Sequence, residues 1–433
     1  MSAQHIPWTI RTTDLVPAPV YLLELDKDGT VTSPKSLEAL VGAAADATDV
    51  VVFAHGWNND FRAATSRYDR FFDHLDRVLR SKGAPQREFR PVYVGVTWPS
   101  IVLVMPSERG PDIAGGPADD LAAELDALAD VLDPSQVAEI RQILADPGTG
   151  TTGLRRAATI LADLPVDPDD ESGAPPEPGD GTALVETWQE ARAGLVTEPT
   201  TRRGGIIDDD APVTTPDVAG FNPLELLREG IRLATVRQMK DRAGRVGARG
   251  LGPVLRRIVA TGARVHLVGH SYGCRVVLSA VSHGAPPRPK VDSVLLLQPA
   301  LSALAFAGSV GGRPGGYRSA LDRVRQPIVT TRSAHDMPLT RVFHLALRRR
   351  SDLGDAAIAG GPSRFAALGG VGPQGLARAE LVDVVPMPDV GAAYPLQGEH
   401  RVVGVDGTRF IPSHGDVECD QTAWALLSQI RQP

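Results

Sequence analysis

The 433-residue chain predicts an α/β fold: a mostly parallel central sheet flanked by helices, with a helical segment inserted. Three observations carry this. Val50–Ala54, Val265–Val268 and Val291–Leu297 are largely apolar runs of strand length, as expected of strands buried on both faces. Segments of helical period alternate with such runs, as βαβ units require. Residues 101–220 interrupt that alternation with helical spacing and no convincing strand.

Taken in order, residues 1–48 read as an opening β-region. Val20–Leu25 is a strand, 26–30 (Asp-Lys-Asp-Gly-Thr) a turn, and Val31 the start of a second strand. Val50–Ala54 ends in His55-Gly56-Trp57-Asn58-Asn59. A helix over about 61–81 places Phe71, Phe72, Leu75, Val78 and Leu79 on one side. Pro91–Trp98 is the next strand, closed by Pro99 and Ser100.

Residues 101–220 hold 24 acidic residues against 7 basic ones, more than the whole chain's net charge of −7. Helical spacing occurs at 121–132, 136–144, 154–164 and 184–195, separated by proline- and glycine-rich stretches. Two readings stand: a helical cap over an active site, or a partly disordered insertion of acidic, proline-rich composition. The expectation is a cap with mobile loops, set into a core made of 1–100 and 221–433.

A long helix over 223–246 and a shorter one over 254–261 lead to Val265–Val268. Then come the turn Gly269-His270-Ser271-Tyr272-Gly273 and a helix over 274–283. Val291–Leu297 and Pro327–Arg332 are further strands, the latter ending in Ser333-Ala334-His335-Asp336. A helix around 339–349, a glycine-rich stretch at 354–375, strands at 381–385 and 401–405, and a closing helix bearing Trp424, Leu426, Leu427 and Ile430 complete the chain.

Composition bounds the function. A net charge of −7 does not favour a nucleic-acid partner. Two cysteines, Cys274 and Cys419, make neither a disulfide framework nor a zinc-ligand pattern, and two reduced thiols are the simpler reading. The N-terminal residues lack a basic region followed by an apolar core. The most apolar run, 294–310, is broken by Gln298 and Pro299, too short to insert stably in a membrane. A soluble, cytoplasmic protein is expected.

The chemistry centres on Ser271. Gly-x-Ser-x-Gly between a strand and a helix puts the serine in a strained backbone position, its hydroxyl exposed above the sheet edge. Gly269 and Gly273 are small because strand and helix pass close by. A serine needs a base, and the base needs an acid to fix its tautomer. His414 is the histidine that follows a late strand in a loop, beside Gly415. Asp336 follows the strand over 328–331, although it could equally cap the next helix. Asp383 and Asp406 are reserves, each with a structural explanation in a strand or a turn. The oxyanion would be met by the N–H of Tyr272 and that of Trp57, where Gly56 lets the backbone turn. His55 reads as a support for that loop, and His270 as structural.

Together, 51–59 (Val-Val-Phe-Ala-His-Gly-Trp-Asn-Asn), 97–100 (Thr-Trp-Pro-Ser), 269–273 (Gly-His-Ser-Tyr-Gly), Asp336 and His414 resemble the α/β-hydrolase fold superfamily. The first two stretches are similar to a bacterial esterase- or lipase-like serine hydrolase branch. The resemblance covers about 50–100 and 250–433, not the insertion. It implies hydrolysis of a carboxylic ester or related acyl bond through an acyl-enzyme on Ser271, with no metal or organic cofactor. Trp57, Tyr272 and the apolar run 101–105 suggest a small-molecule substrate with an apolar acyl group. Acyl transfer to another acceptor, peptide cleavage by the same residues, and a non-catalytic scaffold that binds a partner through the cap are the alternatives.

Overall fold

The computed structural model describes residues 6–12, 17–57, 59–100, 125, 128–146, 148–164, 181–182, 184–186, 188–189, 222–336, 339 and 366–433. Apart from Leu339, the helix expected at 339–349 lies outside these residues, as does the apolar run at 101–105. So do half of 121–132 and much of 184–195.

Nine strands form one sheet: β1 (Thr9–Thr12), β2 (Pro17–Glu24), β3 (Asp49–Ala54), β4 (Pro91–Thr97), β5 (Arg264–His270), β6 (Ser293–Leu297), β7 (Ile328–Arg332), β8 (Leu381–Pro386) and β9 (Val402–Asp406). Their spatial order is β1-β2-β4-β3-β5-β6-β7-β9-β8. Every pairing is parallel except β1 with β2. The central strands are buried on both faces, so their sequences are largely apolar rather than alternating.

Alternate residues nevertheless serve different layers, because successive side chains on a strand point to opposite faces. Val50, Val52 and Ala54 pack in one layer with α1 (Pro34–Asp46), the C-terminal half of α5 (Pro223–Arg245), α6 (Gly252–Val259) and α7 (Tyr272–Ser282). Val51 and Phe53 pack in the other with α2 (Phe61–Lys82) and α10 (Asp420–Ile430). Phe71, Phe72 and Leu75 of α2 meet that face, as their spacing predicts. Two short helices, α8 (Ala320–Arg323) and α9 (Leu368–Val371), lie in the connections around β7.

The opening region departs from expectation. Val31 forms only an isolated bridge with Leu25 rather than a second strand. The chain then enters α1, where an all-β reading was expected. Pro34 at the first turn and an alanine-rich body favour helix there, and Leu40 and Ala44 bury its inner face.

A third cluster holds helices without strands. α3 (Pro134–Ala145) and α4 (Thr151–Ala162) match the expected helical spacing. With Leu125, Leu128 and Trp188 they pack against Leu226, Leu227 and Ile231 of α5. α5 therefore belongs to two cores: its first half to this cluster, and Val236, Met239 and Ala243 to the sheet. Asp130 ties the two together by accepting from Lys27 Nζ at 2.7 Å and Arg242 Nη2 at 2.9 Å.

Candidate active site

β5 carries the chain up to His270, and α7 begins at Tyr272. The reversal falls on one residue. Ser271 has φ 55° and ψ −124°, a combination that a residue with a Cβ adopts only when its surroundings impose it. The surroundings here are hydrogen bonds: Ser271 N–H donates to Leu297 O at 3.1 Å, and its carbonyl accepts from Cys274 N–H at 3.1 Å. The flanking glycines permit it. A Cβ at Gly273 would run into the carbonyl of Ala54, and one at Gly269 would lie 2.6 Å from Cys274 Cα. Gly269 thus stands at a close approach to the helix that follows, and Gly273 at one to the end of β3.

His414 comes to this serine from the loop after β9. Ser271 Oγ lies 2.9 Å from His414 Nε2, and His414 Nδ1 lies 2.7 Å from Asp336 Oδ2. Four contacts hold the histidine's loop. His270 Nε2 donates to His414 O at 2.8 Å, and Arg67 Nη1 donates to Gly415 O at 3.0 Å. Arg67 also pairs with the buried carboxylate of Glu418, and Ser413 Oγ donates to Asp416 at 2.7 Å. Burial first, then the nearby Arg67 charge, holds His270 well below its usual pKa, so its ring is neutral. With the proton on Nε2, His270 works as a fixed donor to the His414 backbone.

Asp336 is wholly buried behind β7. Oδ1 accepts from Leu339 N–H at 3.0 Å, so Asp336 caps the next segment as well as facing His414. Oδ2 accepts both His414 Nδ1 and Gln298 Nε2, the latter at 2.9 Å. The reserves lie elsewhere. The Asp406 carboxylate is taken by Arg332 at 2.6 Å and by Thr408. Asp383 is exposed on β8, accepting from the next backbone N–H.

The turn after β3 closes the site from the other side. Gly56 sits so near the serine that an added Cβ would lie 2.6 Å from Ser271 Cβ. Its carbonyl accepts from His55 Nδ1 at 2.8 Å and from Asn59 Nδ2 at 3.2 Å. The same planar peptide carries the N–H of Trp57, so anchoring one end orients the other. Asn59 is held in turn by Ser100, whose Oγ donates to Asn59 O at 2.9 Å. The Trp98-Pro99-Ser100 strand end thus acts as a buttress. Burial lowers His55 to a pKa of about 4, leaving Nε2 to accept from Trp98 N–H. Tyr272 N–H is the first of α7 and belongs to the helix's end donors, which lack intrahelical partners. Tyr272's own hydroxyl reaches Val236 O on α5 at 3.3 Å, and its ring lies 6.2 Å from that of Trp57.

Two residues escaped the sequence reading, Gln298 and Asn59. Asn59 lies within a quoted stretch, next to the turn it anchors. Gln298 looked only like an interruption in an apolar run. It has φ 45°, one of two non-glycine residues with positive φ among the described residues.

The same residue types meet once more, at the opposite end of the sheet. His266 Nδ1 lies 2.8 Å from Ser293 Oγ, and its Nε2 lies 3.1 Å from Asp49 Oδ1. All three are buried, Ser293 stands within a regular strand, and Arg87 clamps Asp49 with two hydrogen bonds. That set is structural. Among the described residues, no cluster of three or more His, Cys, Asp or Glu is placed to hold a metal ion, and no helix is long and apolar enough to cross a membrane.

Comparison of the chain with protein-family models, with curated proteins and with solved structures found no match. The class the fold defines is therefore an α/β protein with a nine-stranded, mostly parallel sheet. The site alone supports the finer reading that follows.

Proposed function

We propose that this chain is a serine hydrolase with an α/β-hydrolase fold, cleaving a carboxylic ester or related acyl bond through an acyl-enzyme on Ser271. One observation carries the reading. A serine in a strained strand-to-helix turn lies within hydrogen-bond reach of a histidine, and a buried aspartate holds that histidine's other nitrogen.

In this mechanism His414 Nε2 takes the Ser271 proton as Oγ attacks the acyl carbon. The oxyanion forms between the N–H groups of Tyr272 and Trp57. His414 then passes the proton to the leaving alcohol. A water attacks the acyl-enzyme by the same route in reverse, with His414 as base and then acid, and releases the carboxylic acid. Asp336 stays ionised, keeping the Nδ1–H tautomer and balancing the imidazolium. The helical cluster is proposed as the cap. Its support is α5, which belongs to that cluster and also contacts the residue after the serine. The neighbouring rings of Trp57 and Tyr272 favour an apolar acyl group.

The test uses a panel of p-nitrophenyl esters, a fluorophosphonate probe and intact-mass measurement on wild type and Ser271→Ala. Wild type should turn over at least one ester and gain one probe mass. Ser271→Ala should do neither. Equal hydrolysis in both proteins would overturn the mechanism.

A further inference from the structure

We infer that Gln298 is a positioning residue for the acid: its side-chain amide holds the Asp336 carboxylate in the orientation that reaches His414. This rests on the serine-hydrolase reading above and extends it to a residue outside the serine, histidine and aspartate.

The argument begins with the backbone. Gln298 directly follows β6, which lies between the strand that leads to Ser271 and the strand that leads to Asp336. Its φ of 45° costs free energy for any residue with a Cβ, and glutamine has no special tolerance for it. Strain of this kind persists where contacts over-determine it. Here they do. Gln298 N–H donates to Thr331 Oγ1 at 3.0 Å, and the side chain is wholly buried.

The orientation of the amide follows from its neighbours. Thr331 Oγ1 already accepts from Gln298 N–H, so its own proton is free to go to Gln298 Oε1, at 3.0 Å. That leaves Nε2 facing Asp336 Oδ2 at 2.9 Å and Gly369 O at 3.4 Å, both acceptors. The flipped amide would set its oxygen against a carboxylate and a carbonyl, with no proton for either. Only one orientation satisfies the group.

The carboxylate is thereby fixed as well as stabilised. Oδ2 is the oxygen that receives His414 Nδ1–H, and Gln298 donates to that same atom. Leu339 N–H holds the other oxygen. Removing the Gln298 donor loosens the plane of the carboxylate and leaves more negative charge on Oδ2. The first effect slows proton transfer at Ser271. The second makes His414 harder to deprotonate.

The experiment compares wild type, Gln298→Ala and Thr331→Val. The readouts are kcat and KM on an ester that wild type hydrolyses, across pH, and the far-downfield proton resonance of His414 Nδ1–H. Gln298→Ala should lose between about tenfold and a hundredfold in kcat, the span of one hydrogen bond to a charged group, with KM little changed. The acid limb of its profile should move to higher pH, and the Nδ1–H resonance should shift. Thr331→Val keeps the shape but removes the hydroxyl that orients the amide, so it should move the same quantities in the same direction by less. If Gln298→Ala does not fold, Thr331→Val decides the matter alone. A folded Gln298→Ala, or in its absence Thr331→Val, with wild-type kcat, acid limb and resonance overturns the inference. Wild type that fails to label with a fluorophosphonate overturns the hydrolase reading instead. Labelled wild type with an unaffected variant rejects only the role of Gln298.

Discussion

Asp336→Asn tests the proposed mechanism most sharply, because the substitution keeps the shape and changes only which atoms accept. Among the described residues, Oδ1 accepts from the Leu339 N–H, and Oδ2 from His414 and Gln298. An asparagine must place its NH2 at one of these positions. At the Oδ2 position it meets two donors: Gln298 loses its acceptor, and His414 can take the new N–H only by moving its own proton to Nε2. That tautomer points a proton at Ser271 Oγ and cannot act as a base. At the Oδ1 position it meets the Leu339 N–H, and the segment after β7 loses its cap. Two hydrogen bonds to a charged acceptor, at about 1.5–3 kcal/mol each, are at stake in the first arrangement. The expected loss in kcat/KM is therefore about a hundredfold to ten-thousandfold, its upper end matching what a wrong histidine tautomer costs elsewhere. The assay is ester hydrolysis together with the rate of fluorophosphonate labelling, with thermal unfolding as the control for folding. A folded Asp336→Asn within about tenfold of wild type would refute both the role of Asp336 and the tautomer argument.

Three further outcomes follow from the same geometry. Gly56→Ala should reduce kcat by about a hundredfold with little change in the unfolding temperature, since the new Cβ would lie 2.6 Å from Ser271 Cβ and displace the turn; undiminished ester turnover would remove that turn from the mechanism. Burial pushes Asp49 up, but hydrogen bonds from Arg87 and His266 outweigh it and bring its pKa from 3.8 down to about 2. A depressed carboxylate stabilises the fold above its unfolded pKa and loses that contribution as pH falls through the folded value. Wild type should thus lose about 2 kcal/mol between roughly pH 5 and pH 2 from this group, and Asp49→Asn should lose correspondingly less in urea titrations; identical slopes would refute the assignment. Trp188 is fully buried against Gly230 of α5, so Trp188→Ala should cost about 3–5 kcal/mol in the helical cluster; an unchanged thermal transition would show that the cluster does not unfold with the sheet.

Much of this was legible in the sequence because it is local. The elbow at Ser271 is signalled within five residues, but only the close approach of Gly269, to the helix that follows, is local; Gly273 meets the carbonyls of Ala54 and His55 at the end of β3. Strands β3 to β6 are legible as largely apolar runs because burial on both faces leaves few polar positions, such as Asp49, His266 and Ser293, to interrupt them. The helix α1 was not legible, because its short apolar face follows a turn that reads as a hairpin. Asn59 and Gln298 were not legible either: each acts through one side-chain amide on a group whose position depends on the folded chain.

The sequence by itself determined that the chain is α/β and that a serine stands in a strained turn. It also supplied the candidates for base and acid. Which candidates meet was decided only by the tertiary structure. His414 lies 143 residues from Ser271 and 78 from Asp336, so no local propensity links them. They meet because the sheet orders β5, β6, β7 and β9 side by side and in parallel, bringing the ends of those strands to one edge. The chain holds a second Ser, His and Asp set at the other edge, of the same residue types. The Gly-x-Ser-x-Gly turn marks Ser271 in the sequence, but sequence spacing does not show which histidine and aspartate each serine meets. The register of the strands does. It places Asp49, His266 and Ser293 at the buried starts of β3, β5 and β6, and leaves Ser271 at the end of β5, where the chain must turn.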